Sequence, residues 1–311
     1  MAIARGAAAA AVALTLAGCA SRAREVEITF RSSGATLEGT LSLPAGRRHP
    51  VAILFSGDGA HDRNGEPGAH GLPQRMAERL VASGIAVLRY DDPGAQLGSA
   101  SRTLFCSYRV KLDDAHAAIA FVRSRHDLDP DRVVLVGHSE GAKTAVLLAA
   151  GDRRIAGIAL IAGATAVNVD TLLMEQARLR PDGPAPMLRD LVHRIQSGAS
   201  NVGSSTLTEF IREHLALPPR EFLPRVACPV LILQGGNDPL VTPHHAEEAA
   251  AVMRAAGNRR VTVRVFPGLS HVLGRPVSGP PEAPSREAID PVPIDTLAAW
   301  MHDVVATGGR N

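Results

Sequence analysis

Lysine is nearly missing from this chain. Among 33 basic residues in 311, only Lys111 and Lys143 are lysines. With alanine so abundant, the arginine bias reads as coding composition rather than chemistry. Aromatic residues are equally scarce at 3%, with a single Trp. That excludes the stacking platforms of single-strand nucleic-acid binders and sugar binders. Basic and acidic side chains nearly cancel, leaving a net charge of +2, so no basic field recruits nucleic acid and none is expected as a partner. Three cysteines are too few for a disulfide scaffold. What remains is 45% hydrophobic and 21% charged, an ordinary soluble globular balance. The length suits one α/β unit with insertions.

The first segment reads as separate from the fold. Arg5 precedes an apolar run from Ala7 to Leu16, far short of the roughly 20 residues a spanning helix needs. It has the form of a secretory signal peptide. Its cleavage region, Leu16-Ala17-Gly18-Cys19, resembles the lipobox of bacterial lipoproteins. The resemblance implies lipidation of Cys19 and an exported protein anchored in the cell envelope. Ala20 and Ser21 lack the Asp associated with inner-membrane retention, which points to the outer membrane, facing the periplasm. Cys106 and Cys228 remain. They follow and begin different strands, at opposite ends of a parallel sheet, beyond the about 7 Å that a disulfide spans. Both are expected free.

After a tether at 19–24, Glu25–Phe30 and Leu37–Leu43 alternate with the period of antiparallel strands. Unbroken apolar runs follow at Val51–Phe55, Ile85–Leu88, Arg132–Val136, Ile155–Ile161 and Val230–Leu233. Val261–Phe266 is a further, alternating strand. Helical patterns lie between them at Pro73–Ala82, Leu112–Arg123, Glu140–Ala150 and His244–Ala256, with a last one at Ile294–Val305. Apolar strands alternating with helices predict a mostly parallel, doubly wound α/β sheet, and the early pair predicts its antiparallel edge. The rhythm fails over about 60 residues, too many for an idle loop. That stretch, 164–225, has helical patterning and is expected to form a helical lid. The organisation is therefore 1–18 signal peptide, 19–24 tether, 25–163 first part of the core, 164–225 lid and 226–311 second part.

The chemistry centres on Gly137-His138-Ser139-Glu140-Gly141, a G-x-S-x-G placed directly between a strand and a helix. A sharp turn there lifts the serine above the sheet, and the helix N-terminus offers amides and positive dipole to an oxyanion. A serine hydroxyl needs a base, and the base needs an acid to orient it. Asp238 lies in the loop at the C-terminal edge of the strand Val230–Leu233, and His271 follows the strand Val261–Phe266. The order Ser, acid, His places all three at one sheet edge.

These motifs resemble the α/β-hydrolase superfamily, in its bacterial esterase and serine-aminopeptidase-like branch, over most of residues 25–305. Gly57-Asp58-Gly59-Ala60-His61-Asp62-Arg63-Asn64-Gly65 is similar to its glycine-rich turn after the third strand. Arg89-Tyr90-Asp91-Asp92, Leu231-Ile232-Leu233-Gln234-Gly235 and Pro267-Gly268-Leu269-Ser270-His271 match further motifs, and Thr171–Gln176 matches its insertion. The resemblance implies Ser139 as nucleophile, His271 as base, Asp238 as its orienting acid, and backbone amides of Asp58 and Glu140 as oxyanion donors. It implies a small-molecule ester or acyl substrate and no cofactor. Carboxylic-ester hydrolysis is the leading expectation. Peptidase or thioesterase chemistry at the same triad and a catalytically silent binding lipoprotein stay open.

One departure stands out. Ser56-Gly57-Asp58 replaces the family's His-Gly and small residue, bringing a carboxylate near the oxyanion, with Arg63 as its expected partner. Other pairs read as structural. Neighbouring His244 and His245 do not share a helix face, so no metal is expected. Asp91-Asp92 reads as strand-end turn chemistry, and Asp113-Asp114 as helix-start charge.

Overall fold

The computed structural model describes residues 23–46, 48–66, 68–95, 107–178, 185–199, 202–203, 205–275 and 289–307. The signal segment 1–18, Cys19 and Cys106 lie outside the described residues. Eight strands form one sheet. β1 (Arg24–Ser32) and β2 (Ala35–Leu43) pair as an antiparallel hairpin, and β2 lies antiparallel to β4 (Ala86–Tyr90). The sheet then runs parallel through β3 (His49–Phe55), β5 (Leu128–His138), β6 (Gly157–Ile161), β7 (Val230–Gly235) and β8 (Val261–Phe266). β6 and β7 are buried along their whole length, whereas at the two edges β1 alternates between buried and exposed residues and β8 is mostly half-buried or exposed.

The pleat sends successive strand residues to opposite faces. Ile53, Leu135 and Ile158 pack with α2 (Tyr108–Ser124), α3 (Glu140–Gly151) and α7 (Pro243–Ala255). Leu54, Val136 and Ala159 pack with α1 (Leu72–Ala82) and α8 (Pro291–Thr307). This is the doubly wound sheet that the strand pattern predicts.

Between β6 and β7 the chain forms three helices and two 3-10 turns, at 219–221 and 223–225. The helices are α4 (Val169–Arg178), α5 (Ala185–Gln196) and α6 (Thr206–Ala216). They share a small core of their own around Val192, Phe210 and Ile211.

Among the boundaries that differ from expectation, such as β5 starting at Leu128 rather than Arg132, two have a visible cause. β6 begins at Gly157 rather than Ile155, because Asp152 first turns the chain by accepting from the Arg154 amide. α2 begins at Tyr108, four residues before the apolar periodicity starts. Glu213 of α6 accepts from the Tyr108 amide at 2.6 Å and from the Ser107 hydroxyl at 2.9 Å. A partner over a hundred residues away thus satisfies an orphan donor of the helix start. Cys228 is free, and burial pushes its thiol up to about 12.

Candidate active site

β5 ends at His138, and the chain reverses into α3 through Ser139, which holds φ 54° and ψ −115°. Such a conformation costs a non-glycine residue on the order of 1–3 kcal/mol and survives only where its surroundings enforce it. Glycines make that enforcement possible. A Cβ on Gly137 would lie 2.0 Å from the Gly141 carbonyl oxygen, and one on Gly141 2.4 Å from that of Phe55. Both spacers of G-x-S-x-G are therefore fixed by close backbone approach.

Asp238 and His271 meet directly, Nδ1 of the imidazole lying 2.8 Å from Oδ2 of the carboxylate. The two loops are knitted together first. The Asn237 amide donates to the Leu269 carbonyl, and a Cβ on Gly235 would sit 2.2 Å from the Ser270 carbonyl oxygen. The buried Asp238 carboxylate also accepts from the Leu240 and Val241 amides and from Gln234. Burial alone would raise its carboxyl. The His271 bond and charge, with those amides, outweigh it and hold the group below the ordinary range. Asp238 makes no cap on α7, whose N-cap Thr242 lacks any side-chain bond.

His138, beside the serine, is a residue the sequence argument missed. Its Nε2–H donates to the His271 carbonyl at 3.1 Å, and the two ring centroids lie 4.9 Å apart with the planes tilted by 56°. Burial, and then His271, pull its imidazole down to about 3, so it stays neutral and holds the His271 backbone against the elbow. Among the described residues, the Ser139 hydroxyl and His271 Nε2 are not bonded to each other. Such contacts often close only when substrate is present.

The segments that carry the two expected oxyanion amides both adjoin Ser139. A Cβ on Gly57 would come within 3.4 Å of the Ser139 Cβ, and Glu140 opens α3. Lys111 joins the two sides. Its Nζ donates to the Gly57 carbonyl and lies 3.4 Å from both Glu140 and Asp92. Because a trans peptide points its C=O and N–H in opposite directions, anchoring the Gly57 oxygen aims the Asp58 amide away from Lys111. Asp92 completes the loop by accepting from the Ser56 hydroxyl and the His61 amide.

Glu140 itself is buried between Lys111 and His214, whose Nε2 lies 2.6 Å from its carboxylate. Burial pushes this carboxyl up, but Lys111 and His214 hold it down near 2. It is an ionised structural anchor. Asp58 behaves oppositely. Desolvation, then the Glu140 charge, raises its carboxyl to about 7 against the pull of Lys111. Its side chain keeps solvent contact, so the effect bears on charge at the site rather than on stability.

Arg63 is not its partner. The guanidinium forks onto Asp91 at 3.1 and 2.7 Å and reaches Glu27 and Thr40, facing β1 and β2. Asp62 closes its own turn by accepting from the Asn64 and Glu66 amides, and Asn64 accepts from Arg89. The Asp-Arg-Asn motif is thus scaffolding, and the cation nearest the oxyanion side is Lys111. The expected turn role of Asp91-Asp92 agrees with this geometry.

A cavity of about 700 Å³, its open mouth included, extends from Ser139, Asp58 and Glu140 beneath the helical insertion. Its far wall carries Leu172, Leu173 and Gln176 of α4 and Phe210 of α6. Three residues of the 171–176 motif therefore line the cavity that holds the serine. Among the described residues no cluster of His, Cys, Asp or Glu is placed to hold a metal, and no helix is long and apolar enough to cross a membrane.

The sheet order, the strained serine elbow and the Asp–His pair beyond the parallel strands define an α/β-hydrolase fold. Residues 69–208 match the family described as serine aminopeptidase, S33. The match includes Ser139 and stops before Asp238 and His271. The chain is 32% identical over 180 residues to the putative esterase NocK of Nocardia uniformis, covering 56% of this chain and 48% of that one. It is 29% identical over 244 residues to esterase LipQ of Mycobacterium tuberculosis, covering 74% and 52%. The chain thus spans about half the length of these curated relatives. Est1E from Butyrivibrio proteoclasticus superposes with a TM-score of 0.61 at 14% identity, over 90% of this chain and 99% of that one.

Proposed function

We propose that this chain is a serine hydrolase that cleaves carboxylic esters through an acyl-enzyme. The observation that carries the reading is the Asp238–His271 bond, set beside a serine held at positive φ. His271 takes the Ser139 proton through Nε2 as Oγ attacks the ester carbonyl, and returns it to the leaving alcohol. Asp238, ionised and fully bonded, fixes the tautomer with Nδ1–H and stabilises the imidazolium. The amides of Asp58 and Glu140 receive the oxyanion. Water then repeats the sequence and releases the acid. The esterase names of two relatives favour ester over peptide or thioester.

The test is a panel of p-nitrophenyl esters beside aminoacyl-anilides and acyl-thioesters, with fluorophosphonate labelling. Ester turnover with labelling at Ser139 supports the reading. Preference for anilide or thioester would transfer it to a peptidase or thioesterase, and absence of both turnover and labelling would leave a silent binding lipoprotein. Ser139→Ala, Asp238→Asn and His271→Ala should each lower kcat by about three orders of magnitude or more with the fold intact.

We also propose that the helical insertion acts as a lid and that the mature protein is held at the outer membrane by lipid on Cys19. The lipobox supports the second point. Cys19→Ser should then abolish lipid labelling and leave uncleaved precursor, whereas normal processing of that variant argues for an ordinary signal peptide.

A further inference from the structure

The second lysine has no hydrogen-bond partner among the described residues. Lys143 is 6% exposed, lines the cavity that holds Ser139, and its Nζ makes no hydrogen bond among the described residues. Its nearest company is the face of Tyr108, 4.0 Å away. The two carboxylates whose charges act on it are already committed, Glu140 to Lys111 and His214 and Glu213 to the start of α2. A buried ammonium left this way is costly unless something neutralises it. Two more cavity-lining atoms share its condition. The hydroxyl of Thr165, 1% exposed, and the side-chain oxygen of Asn168 also lack partners.

We infer that Lys143 and Thr165 form an acceptor subsite for a carboxylate on the acyl group of the substrate, with Asn168 taking a donor from the same chain. The reasoning is geometric. Ser139 caps α3, and Lys143 lies four residues on, one turn into that helix, and both side chains line the same cavity. Long helical side chains lean toward the N-terminus, which returns the ammonium toward the level of the nucleophile. A carboxylate a few bonds from the scissile carbonyl therefore reaches Lys143 while the carbonyl sits at Ser139. The hydroxyl of Thr165 donates to the same carboxylate. Asn168 suits an amide N–H or hydroxyl carried beside it. The reading deepens the esterase proposal by naming a substrate class, half-esters of dicarboxylic acids, and rests on that proposal for turnover.

The experiment compares mono-p-nitrophenyl esters of succinate, glutarate and adipate with neutral p-nitrophenyl esters of the same chain length. Charge-assisted bonds of this kind are worth about ten- to a hundred-fold. The wild-type ratio of anionic to neutral kcat/KM should fall at least 30-fold in Lys143→Met and about 5-fold in Thr165→Val. Arg264→Ala, which removes one exposed cation from β8, should leave the ratio unchanged and so controls for net charge. A ratio that is the same in wild type and Lys143→Met overturns the inference. Thr165→Val carries the decision if the methionine variant does not fold.

Failure of the esterase reading is seen separately, as loss of turnover on every ester. Calorimetric binding to Ser139→Ala then decides, because it needs no chemistry. Monomethyl glutarate should bind at least 30-fold tighter than methyl pentanoate, and equal affinities would overturn the subsite.

Discussion

Replacing Lys143 by methionine should stabilise the empty protein. Burial pulls the ammonium from 10.5 down to about 7. At 1.36 kcal/mol per pH unit, that difference corresponds to about 5 kcal/mol of folding free energy. Solvent entering the cavity and the contact with Tyr108 reduce the net effect. Methionine keeps the length of the side chain and leaves no buried charge, so the expected gain is about 2–4 kcal/mol.

The pH window follows from the direction of the change. Between about 7 and 10.5 the unfolded chain binds a proton that the folded chain does not, so wild-type stability rises with pH there. The methionine variant lacks this slope. Its advantage is therefore largest below pH 7 and fades toward pH 10. Urea denaturation of both proteins at pH 6, 8 and 9.5 measures it, and a Tm increase of about 4–8 °C at pH 6 is the thermal counterpart. A variant that is equal to or less stable than wild type at pH 6 would falsify the account of an uncompensated ammonium.

Other outcomes follow from the site. Lys111→Met should lower kcat about 100-fold, the scale of one oxyanion donor, because the Gly57–Asp58 peptide loses its anchor; affinity for a boronic-acid transition-state mimic should fall with it. With neutral esters, wild-type activity should decline as pH rises through about 7, where Asp58 gains charge beside the oxyanion. Asp58→Asn should remove that alkaline limb, and a persisting decline would show that another group causes it. Gly137→Ala should abolish soluble expression, since its Cβ would overlap the Gly141 carbonyl at 2.0 Å; a folded, active variant would contradict the tight elbow. Arg63→Ala should destabilise the β1–β2 edge by releasing Asp91, without the specific loss of kcat expected had Arg63 shielded Asp58.

The sheet was legible because its strands differ in kind. Buried central strands read as apolar runs, and the edges read as alternation. The elbow was legible because glycine spacing, strand and helix coincide within five residues, and Asp238 and His271 because each follows a strand of the same sheet. Lys111, His138 and His214 carry no such local mark. Each acts by reaching a segment remote in sequence, Gly57, His271 and Glu140 respectively, and only the fold brings those together. Arg63 shows the converse error. Proximity in sequence suggested Asp58, but a guanidinium forks best onto a carboxylate already held in place, and Asp91 is that carboxylate. Composition carries one further mark of the site. In a chain that places arginine almost everywhere, the two positions that remain lysine both lie under the serine.

Glu213 and His214 are neighbours on α6, and they point into the catalytic half of the molecule by different routes. One caps α2, which carries Lys111, and the other grips Glu140 at the start of α3. α6 is thus mechanically part of the floor, although it belongs to the insertion in chain order. Any hinging that admits substrate is left to α5, because Glu175 and Gln176 of α4 are themselves tied to His245 and Leu240, while α5 rests on α6 through the small core at Val192, Phe210 and Ile211. For engineering, the exchangeable module is accordingly α5, Ala185–Gln196, alone. A graft that replaced α6 as well would remove two bolts from the site while altering its roof.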